Sequence, residues 1–142
     1  DLGLPIVIIK LGEKGLFLKT GLAKDKNISS LIKKEQWSRR QFFSSVYEVD
    51  VVGTTGAGDS AIAGFLSQIV QGSTPEQAMN IGTATGACCV EARDATSGIN
   101  SIYKIEERIK KGWKKQIPLL STEGWEWIPE YQLWESSIIN DH

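Results

Sequence analysis

A glycine-rich turn between a β-branched segment and an amphipathic segment is the feature that most restricts how this chain can fold. Residues 50–66 read DVVGTTGAGDSAIAGFL, passing from valines through GTTGAG into apolar residues at helical spacing. A strand that enters a helix through glycines leaves the first N–H groups of the helix unpaired and removes the side chains that would block a ligand. The sequence therefore predicts an anion-binding turn, with Thr54 and Thr55 as additional hydroxyl donors.

Asp59 stands in the first turn of the predicted helix, where a bound anion would repel its carboxylate. Two interpretations are open. Asp59 stabilises the positive end of the helix dipole, by roughly 0.5 kcal/mol, or it is a catalytic base that takes the proton of an attacking hydroxyl while the N–H groups stabilise phosphoryl oxygens. The turn has neither the Lys-Ser/Thr ending of a Walker P-loop nor the third glycine of a dinucleotide fingerprint.

The rest of the chain indicates an α/β layered fold. Residues 6–10 and 16–20 predict a hairpin, residues 46–52 a further strand, and residues 21–45 are ambiguous, with room for a short helix. We expect a mostly parallel sheet flanked by helices, with a phosphate site at the strand-to-helix turn.

Two consecutive helices follow the glycine turn. The first ends near Gly72, and the second begins with Thr74, Pro75 and Gln77, which together predict a capping box. The small residues GTATGA in its middle suit either close helix packing, which we favour, or the approach of a flat ligand. The lysines of the later basic segment, residues 103–115, are expected to lie on a solvated helix face.

Composition narrows the function classes. The 142 residues carry a formal net charge of −1, which favours neither nucleic acid nor an anionic membrane as partner. No apolar run approaches the roughly 20 residues that span a bilayer. Cys88 and Cys89 are neighbours and the sole histidine is His142, so we expect reduced buried thiols, a cytoplasmic location and no protein metal site.

The stretch GTTGAGDSAIAGFL, residues 53–66, resembles the C-terminal signature of the ribokinase-like, PfkB-type carbohydrate kinases, usually written DTTGAGD followed by a small residue and GF. KLGEKGLFLKT resembles the strand-turn-strand that precedes this signature, and DATSGIN resembles the nucleotide-binding end. The resemblance covers residues 1–120 and implies the C-terminal nucleotide-binding and catalytic portion of a ribokinase-like three-layer α/β/α fold. Residues 121–142 form an aromatic-rich tail, which we expect to fold back on the domain rather than to form a partner surface.

The resemblance also implies an activity, namely ATP-dependent phosphoryl transfer to a hydroxyl of a sugar or nucleoside, with Mg²⁺. Asp59 matches the catalytic base, and the backbone anion hole matches Gly56, Ala57 and Gly58. The positions matching nucleotide contacts are Lys10 and Gly12 at the phosphates, and Asn80 and Thr83 near the adenosine. Family members often bind K⁺ through carbonyls of the loop at about residues 90–98 and the aspartate that opens the signature, but Gly53 stands in its place, which argues against a K⁺ requirement.

Other outcomes are kept open. A non-catalytic nucleotide- or phosphate-binding module would use the same turn, with Asp59 only a helix-start carboxylate. The chain has no initiator methionine, which suggests a fragment that binds nucleotide weakly and phosphorylates nothing by itself. An exposed sheet edge in such a fragment would favour association into a homo-oligomer.

Overall fold

The computed structural model describes residues 6–21, 30–94 and 97–136. Its five strands and four helices, in chain order, are β1 (Ile6–Lys10), β2 (Leu16–Thr20), α1 (Lys34–Trp37), β3 (Gln41–Ser44), α2 (Ala57–Val70), α3 (Pro75–Val90), α4 (Ile102–Lys110), β4 (Glu126–Ile128) and β5 (Leu133–Glu135). A short 3₁₀ turn, Gly12–Lys14, joins β1 to β2. The short helix expected within residues 21–45 is α1, and part of that interval lies outside the described residues.

The five strands form one sheet in the order β1-β2-β3-β5-β4. Every strand pair among the described residues is antiparallel, so the expectation of a mostly parallel sheet is wrong for this part of the chain. The reason lies in the connections: a parallel pair needs a crossover, usually helical, between its strands, whereas β1–β2 and β4–β5 are joined by tight turns. The helices α2 and α3 follow β3 in the chain and precede the β4–β5 hairpin, and they cover one face of the sheet.

The strand predicted at residues 46–52 is also wrong, because the paired segment is β3, which ends at Ser44, before the predicted strand begins. The register ends where Leu16 faces Ser44, and Gly15 then turns β2 away with a φ of 114°. Backbone beyond Ser44 consequently has no neighbouring strand on that side. It makes one isolated antiparallel bridge instead, between Tyr47 and Lys115.

The helices pack as their sequence patterns predict. Phe65 of α2 and Met79 of α3 meet Leu18 and Phe42 from the sheet in the main core. The capping box at the start of α3 is confirmed: Gln77 N donates to the Thr74 hydroxyl, and Thr74 N donates to Gln77 Oε1. One face of α3 is buried along its length, at Ala78, Ile81, Thr85, Cys88 and Cys89. Both cysteines are reduced and buried.

The described part of the tail folds back on the domain. Hairpin β4–β5 extends the sheet beside β3, and the Trp125 ring lies edge-on to Phe17 and Phe43 at 6.1 and 6.5 Å between centroids. The expectation that the lysines of residues 103–115 lie on a solvated face is wrong for Lys115, which follows α4 and is buried. No helix among the described residues is both long and apolar enough to cross a membrane.

Candidate active site

The glycine turn is tied to the end of α3. The N–H groups of Val52 and Gly53 donate to the Val90 carbonyl at 2.7 and 3.2 Å, and the buried Cys89 thiol donates to the Thr55 carbonyl at 3.4 Å. These contacts hold both ends of GTT against one helix. The residues that lead into α2 are therefore anchored to α3.

Gly56 is the N-cap of α2, and its φ of 79° is the left-handed conformation that glycine adopts without steric cost. Ser60 N donates to the Gly56 carbonyl at 2.9 Å, which closes the first helical turn. Gly56 brings no side chain to cap the helix. Ala57 N donates to the Thr54 carbonyl at 3.3 Å. Because Gly56 supplies no capping oxygen, the next N–H group of α2, that of Gly58, is open to an external acceptor.

Lys10, at the end of β1, reaches across to this helix start. Its Nζ lies 3.5 Å from Asp59 Oδ1, and the two side chains are 46% and 92% exposed. A Cβ on Gly58 would lie 3.0 Å from Lys10 Cδ and 3.1 Å from Nζ, so glycine at this position makes room for the lysine. The arrangement places an ammonium, a carboxylate and an uncapped helix start within one small region.

A cavity of about 450 Å³ opens beside this region. Its lining at the helix start includes Lys10, Thr54, Ala57 and Gly58, and it continues past Gly12 toward Thr83 of α3. The volume lies within the range typical of small-molecule sites, and the apolar residues along much of the wall suit an organic group attached to an anion.

The small residues of α3 explain how that helix comes so close to the turn. A Cβ on Gly82 would lie 2.9 Å from the Ala61 carbonyl, and one on Gly86 would lie 3.2 Å from the Ala57 carbonyl. Close helix packing, the favoured interpretation, is therefore present. Gly86 and Thr83 also line the cavity, so the same face adjoins the space for a ligand.

Comparison with known families agrees with this geometry. Residues 2–102 match the model of the pfkB family carbohydrate kinases, which is more than half of the chain. The chain belongs to the pfkB family. The ribokinase-like fold class expected from the sequence is also confirmed by solved structures.

Three relatives illustrate how far the pfkB likeness extends. An uncharacterized sugar kinase of Archaeoglobus fulgidus is 30% identical over 99 residues, which are 70% of this chain and 33% of the relative. The crystal structure of a nucleoside kinase of Methanocaldococcus jannaschii, an archaeal member of the ribokinase family, is 31% identical with a TM-score of 0.58, covering 75% of this chain and 30% of that one. A ribokinase of Arabidopsis thaliana complexed with ribose and ATP is 26% identical with a TM-score of 0.59, covering 77% and 30%. The chain thus spans about a third of the length of these relatives.

The pfkB site residues expected from the sequence do not all meet at the cavity. Six of them line it: Lys10, Gly12, Thr54, Ala57, Gly58 and Thr83. Gly56 occupies the N-cap position of α2, and Asp59 lies in solvent beside Lys10. Thr55 is not part of the lining. Asn80 lies elsewhere, buried, with its Oδ1 accepting from Lys115 and its Nδ2 donating to the Tyr131 carbonyl.

Some residues that line the cavity are not recognisable as site residues from the sequence. Val46, Tyr47 and Val49 follow β3 without belonging to a strand, and Gln116 and Leu119 come from the segment after α4. Hydrophobic alternation at residues 46–52 was the available signal, and it pointed to a sheet strand. The bridge between Tyr47 and Lys115, together with the hydrogen bonds on either side of it, brings these two segments together.

The loop next to Gly53 bears on the family's cation site. The Val90 carbonyl already accepts two N–H groups, and a Cβ on Gly53 would lie 2.9 Å from the Ala92 carbonyl. An aspartate side chain at position 53 would therefore displace this loop. Residues 95 and 96 of the loop lie outside the described residues, and among those described no group of three or more His, Cys, Asp or Glu side chains could hold a metal ion.

Proposed function

We propose that this chain provides the ATP-binding and catalytic part of a kinase that phosphorylates a hydroxyl of a sugar or nucleoside. The observation that carries the proposal is the meeting of Lys10 and Asp59 at the uncapped, glycine-lined start of α2, at one end of the cavity. Phosphoryl transfer depends mainly on positioning and charge stabilisation, which this set of groups can supply.

The roles follow from the chemistry of each group. The N–H groups at the start of α2 and the Lys10 ammonium hold the phosphate oxygens of ATP. Asp59 accepts the proton of the acceptor hydroxyl as its oxygen forms a bond to the γ-phosphorus, and the bond from that phosphorus to the β-phosphate oxygen breaks, releasing ADP. The exposed position of Asp59 suits this role, because an incoming hydroxyl can reach its carboxylate from solvent.

Mg²⁺ enters this proposal as the companion of ATP. It keeps several waters and is commonly held by one or two carboxylates together with substrate phosphates, so it does not require an enclosed protein site. Asp59 is the carboxylate nearest the helix start that could face it. When bound, Mg²⁺ neutralises charge on the phosphates; the positioning and proton transfer are assigned to Lys10, the α2 N–H groups and Asp59.

The acceptor and the setting complete the proposal. The relatives include a sugar kinase, a nucleoside kinase and a ribokinase, which supports a sugar or nucleoside acceptor without choosing between them. The reduced, buried cysteines Cys88 and Cys89 suit a reducing, cytoplasmic environment. Strand β1 stands at one edge of the described sheet, which supports homo-oligomer formation through that edge.

A non-catalytic nucleotide- or phosphate-binding module is the second candidate. It is favoured by the short coverage of the relatives, about a third of their length, since the same turn could bind phosphates without completing a reaction. Asp59 would then contribute only to the helix start.

Isothermal titration of Mg·ATP, with turnover measured on a panel of sugars and nucleosides, tests the proposal. Gly58→Val should abolish binding, because the added side chain pushes into Lys10 and the phosphate position. Asp59→Asn should keep binding and lower turnover by a factor of roughly 10² to 10⁴. Unchanged turnover in Asp59→Asn would support the binding module. ATP binding that survives Gly58→Val would show that the phosphates do not bind at the turn.

A further inference from the structure

The cavity is partly walled by residues outside the stretch that the family model matches. That match ends at residue 102, whereas Gln116 and Leu119 both line the cavity. The helix α4 and the bend after it carry the chain back to the sheet at this point. The part of the wall that the chain adds beyond the matched stretch is therefore a place where binding preference can be set.

The backbone around Gln116 is held firmly against the segment that follows β3. Gln116 N donates to the Val46 carbonyl at 2.8 Å, and the Ser45 hydroxyl donates to the Gln116 carbonyl at 2.7 Å. Glu48 N donates to the Lys114 carbonyl at 2.8 Å. These bonds fix the position from which the Gln116 side chain extends.

The side chains of residues 113–116 alternate between buried and exposed, as in a strand. Trp113 and Lys115 are buried, while Gln116 is exposed and lines the cavity. The Lys115 ammonium donates to Asn80 Oδ1 at 2.7 Å and to the Gln132 carbonyl at 3.0 Å. Gln132 also accepts from Lys115 N and donates to the Trp113 carbonyl, so the β4–β5 turn locks the backbone on one side of Gln116.

The chemistry of the wall near Gln116 suits a heteroaromatic ring. Val46, Val49 and Leu119 supply apolar surface, and Gln116 carries the only side-chain amide among the described residues that line the cavity. An amide presents a donor and an acceptor side by side. That pair matches the amino group and neighbouring ring nitrogen of adenine, which glutamine binds in a bidentate manner elsewhere in protein recognition.

We propose that Gln116 recognises the edge of the adenine base and makes the site prefer ATP to other nucleoside triphosphates, while Val49 and Leu119 contact the ring. The inference rests on the proposed function, since it takes the phosphates to lie in the same cavity, by Lys10 and Gly58. It adds a specificity-determining residue from the segment after α4.

The test is isothermal titration of Mg·ATP, Mg·GTP and Mg·tripolyphosphate into the 142-residue chain and into Gln116→Leu. Gln71→Leu is the matched control, because Gln71 is also exposed and does not line the cavity. We expect Gln116→Leu to weaken ATP binding about ten-fold. GTP binding should change less than about two-fold, because guanine presents two acceptors where adenine presents the donor and acceptor that the amide matches. Tripolyphosphate binding should not change.

Each other result overturns the inference in a distinguishable way. If Gln116→Leu leaves the ratio of the Kd values for ATP and GTP unchanged and still binds tripolyphosphate, Gln116 does not recognise the base. The proposed function would remain intact. An equal loss for all three ligands would make Gln116 a structural residue. Failure of the unaltered chain to bind either ATP or tripolyphosphate would overturn the proposed function and this inference together.

Discussion

Replacing Lys10 by methionine separates the charge of this residue from its packing. The aliphatic stem that lies over Gly58 is largely kept, and only the ammonium is lost. Two unit charges 4 Å apart interact by about 4 kcal/mol at the effective dielectric constant of a protein surface. The Lys10 side chain is 46% exposed, and binding a phosphate gives up its contact with Asp59, so we reduce this to about 1.4 kcal/mol. That energy corresponds to about a ten-fold weaker Kd for Mg·ATP.

Stability provides the internal check on Lys10→Met. The ion pair with Asp59 is 3.5 Å long and largely in solvent, so its loss should change the free energy of unfolding by no more than about 0.5 kcal/mol. Urea unfolding measures this on the samples used for titration. A loss of binding accompanied by a loss of stability would indicate a structural effect instead.

Lys14→Met is the matched control, since Lys14 lies in the β1–β2 turn that follows Lys10, is exposed and does not line the cavity. Titrations at low and at physiological ionic strength complete the design, because the Debye length falls from about 30 Å at 0.01 M to about 8 Å at 0.15 M. The difference between the two variants should shrink as salt is added. Equal Kd values for the two variants at low salt would refute the assignment of Lys10 to the phosphates.

Three further changes test other parts of the structure. Gly56→Ala should lower the free energy of unfolding by roughly 1–2 kcal/mol in urea, because alanine is strained at a φ of 79°; an unchanged midpoint would contradict that backbone conformation. Thr74→Ala should cost about 1 kcal/mol in thermal unfolding by removing the capping box with Gln77, and Ser at the same position should restore most of it. Burial lowers the pKa of Lys115, so the unfolded chain holds this proton to a higher pH than the folded one, and stability should rise with pH from the lowered pKa toward about 10.4. Lys115→Met should flatten that rise, and parallel pH profiles for the two proteins would show that Lys115 does not cause it.

The local parts of this structure were predictable from sequence because their causes are local. The helix start at GTTGAG depends on glycine conformation and on N–H groups within one turn, and the capping box of α3 depends on two side chains three residues apart. The hairpin β1–β2 likewise depends on a short glycine turn. In each case the residues that decide the conformation are neighbours in the chain.

The predictions that were wrong concern partners distant in sequence. Alternation at residues 46–52 suits a strand, but no strand within the described residues lies beside it, because Gly15 turns β2 away. Burial of Lys115 depends on acceptors from Asn80 and from the β4–β5 turn, which no local pattern reveals. Gln116 entered the cavity wall for the same reason, through its hydrogen bonds to the segment after β3.

The helices α2 and α3 bring backbone atoms close together at Gly82 and Gly86, where an added Cβ would meet the carbonyls of Ala61 and Ala57. Side chains can change rotamer to absorb a disturbance, but backbone contacts leave little room for such adjustment. The two helices should therefore open together, as one cooperative unit in amide hydrogen exchange. Since the start of α2 belongs to that unit, its N–H groups are already arranged before a phosphate arrives, and little ordering entropy is lost on binding.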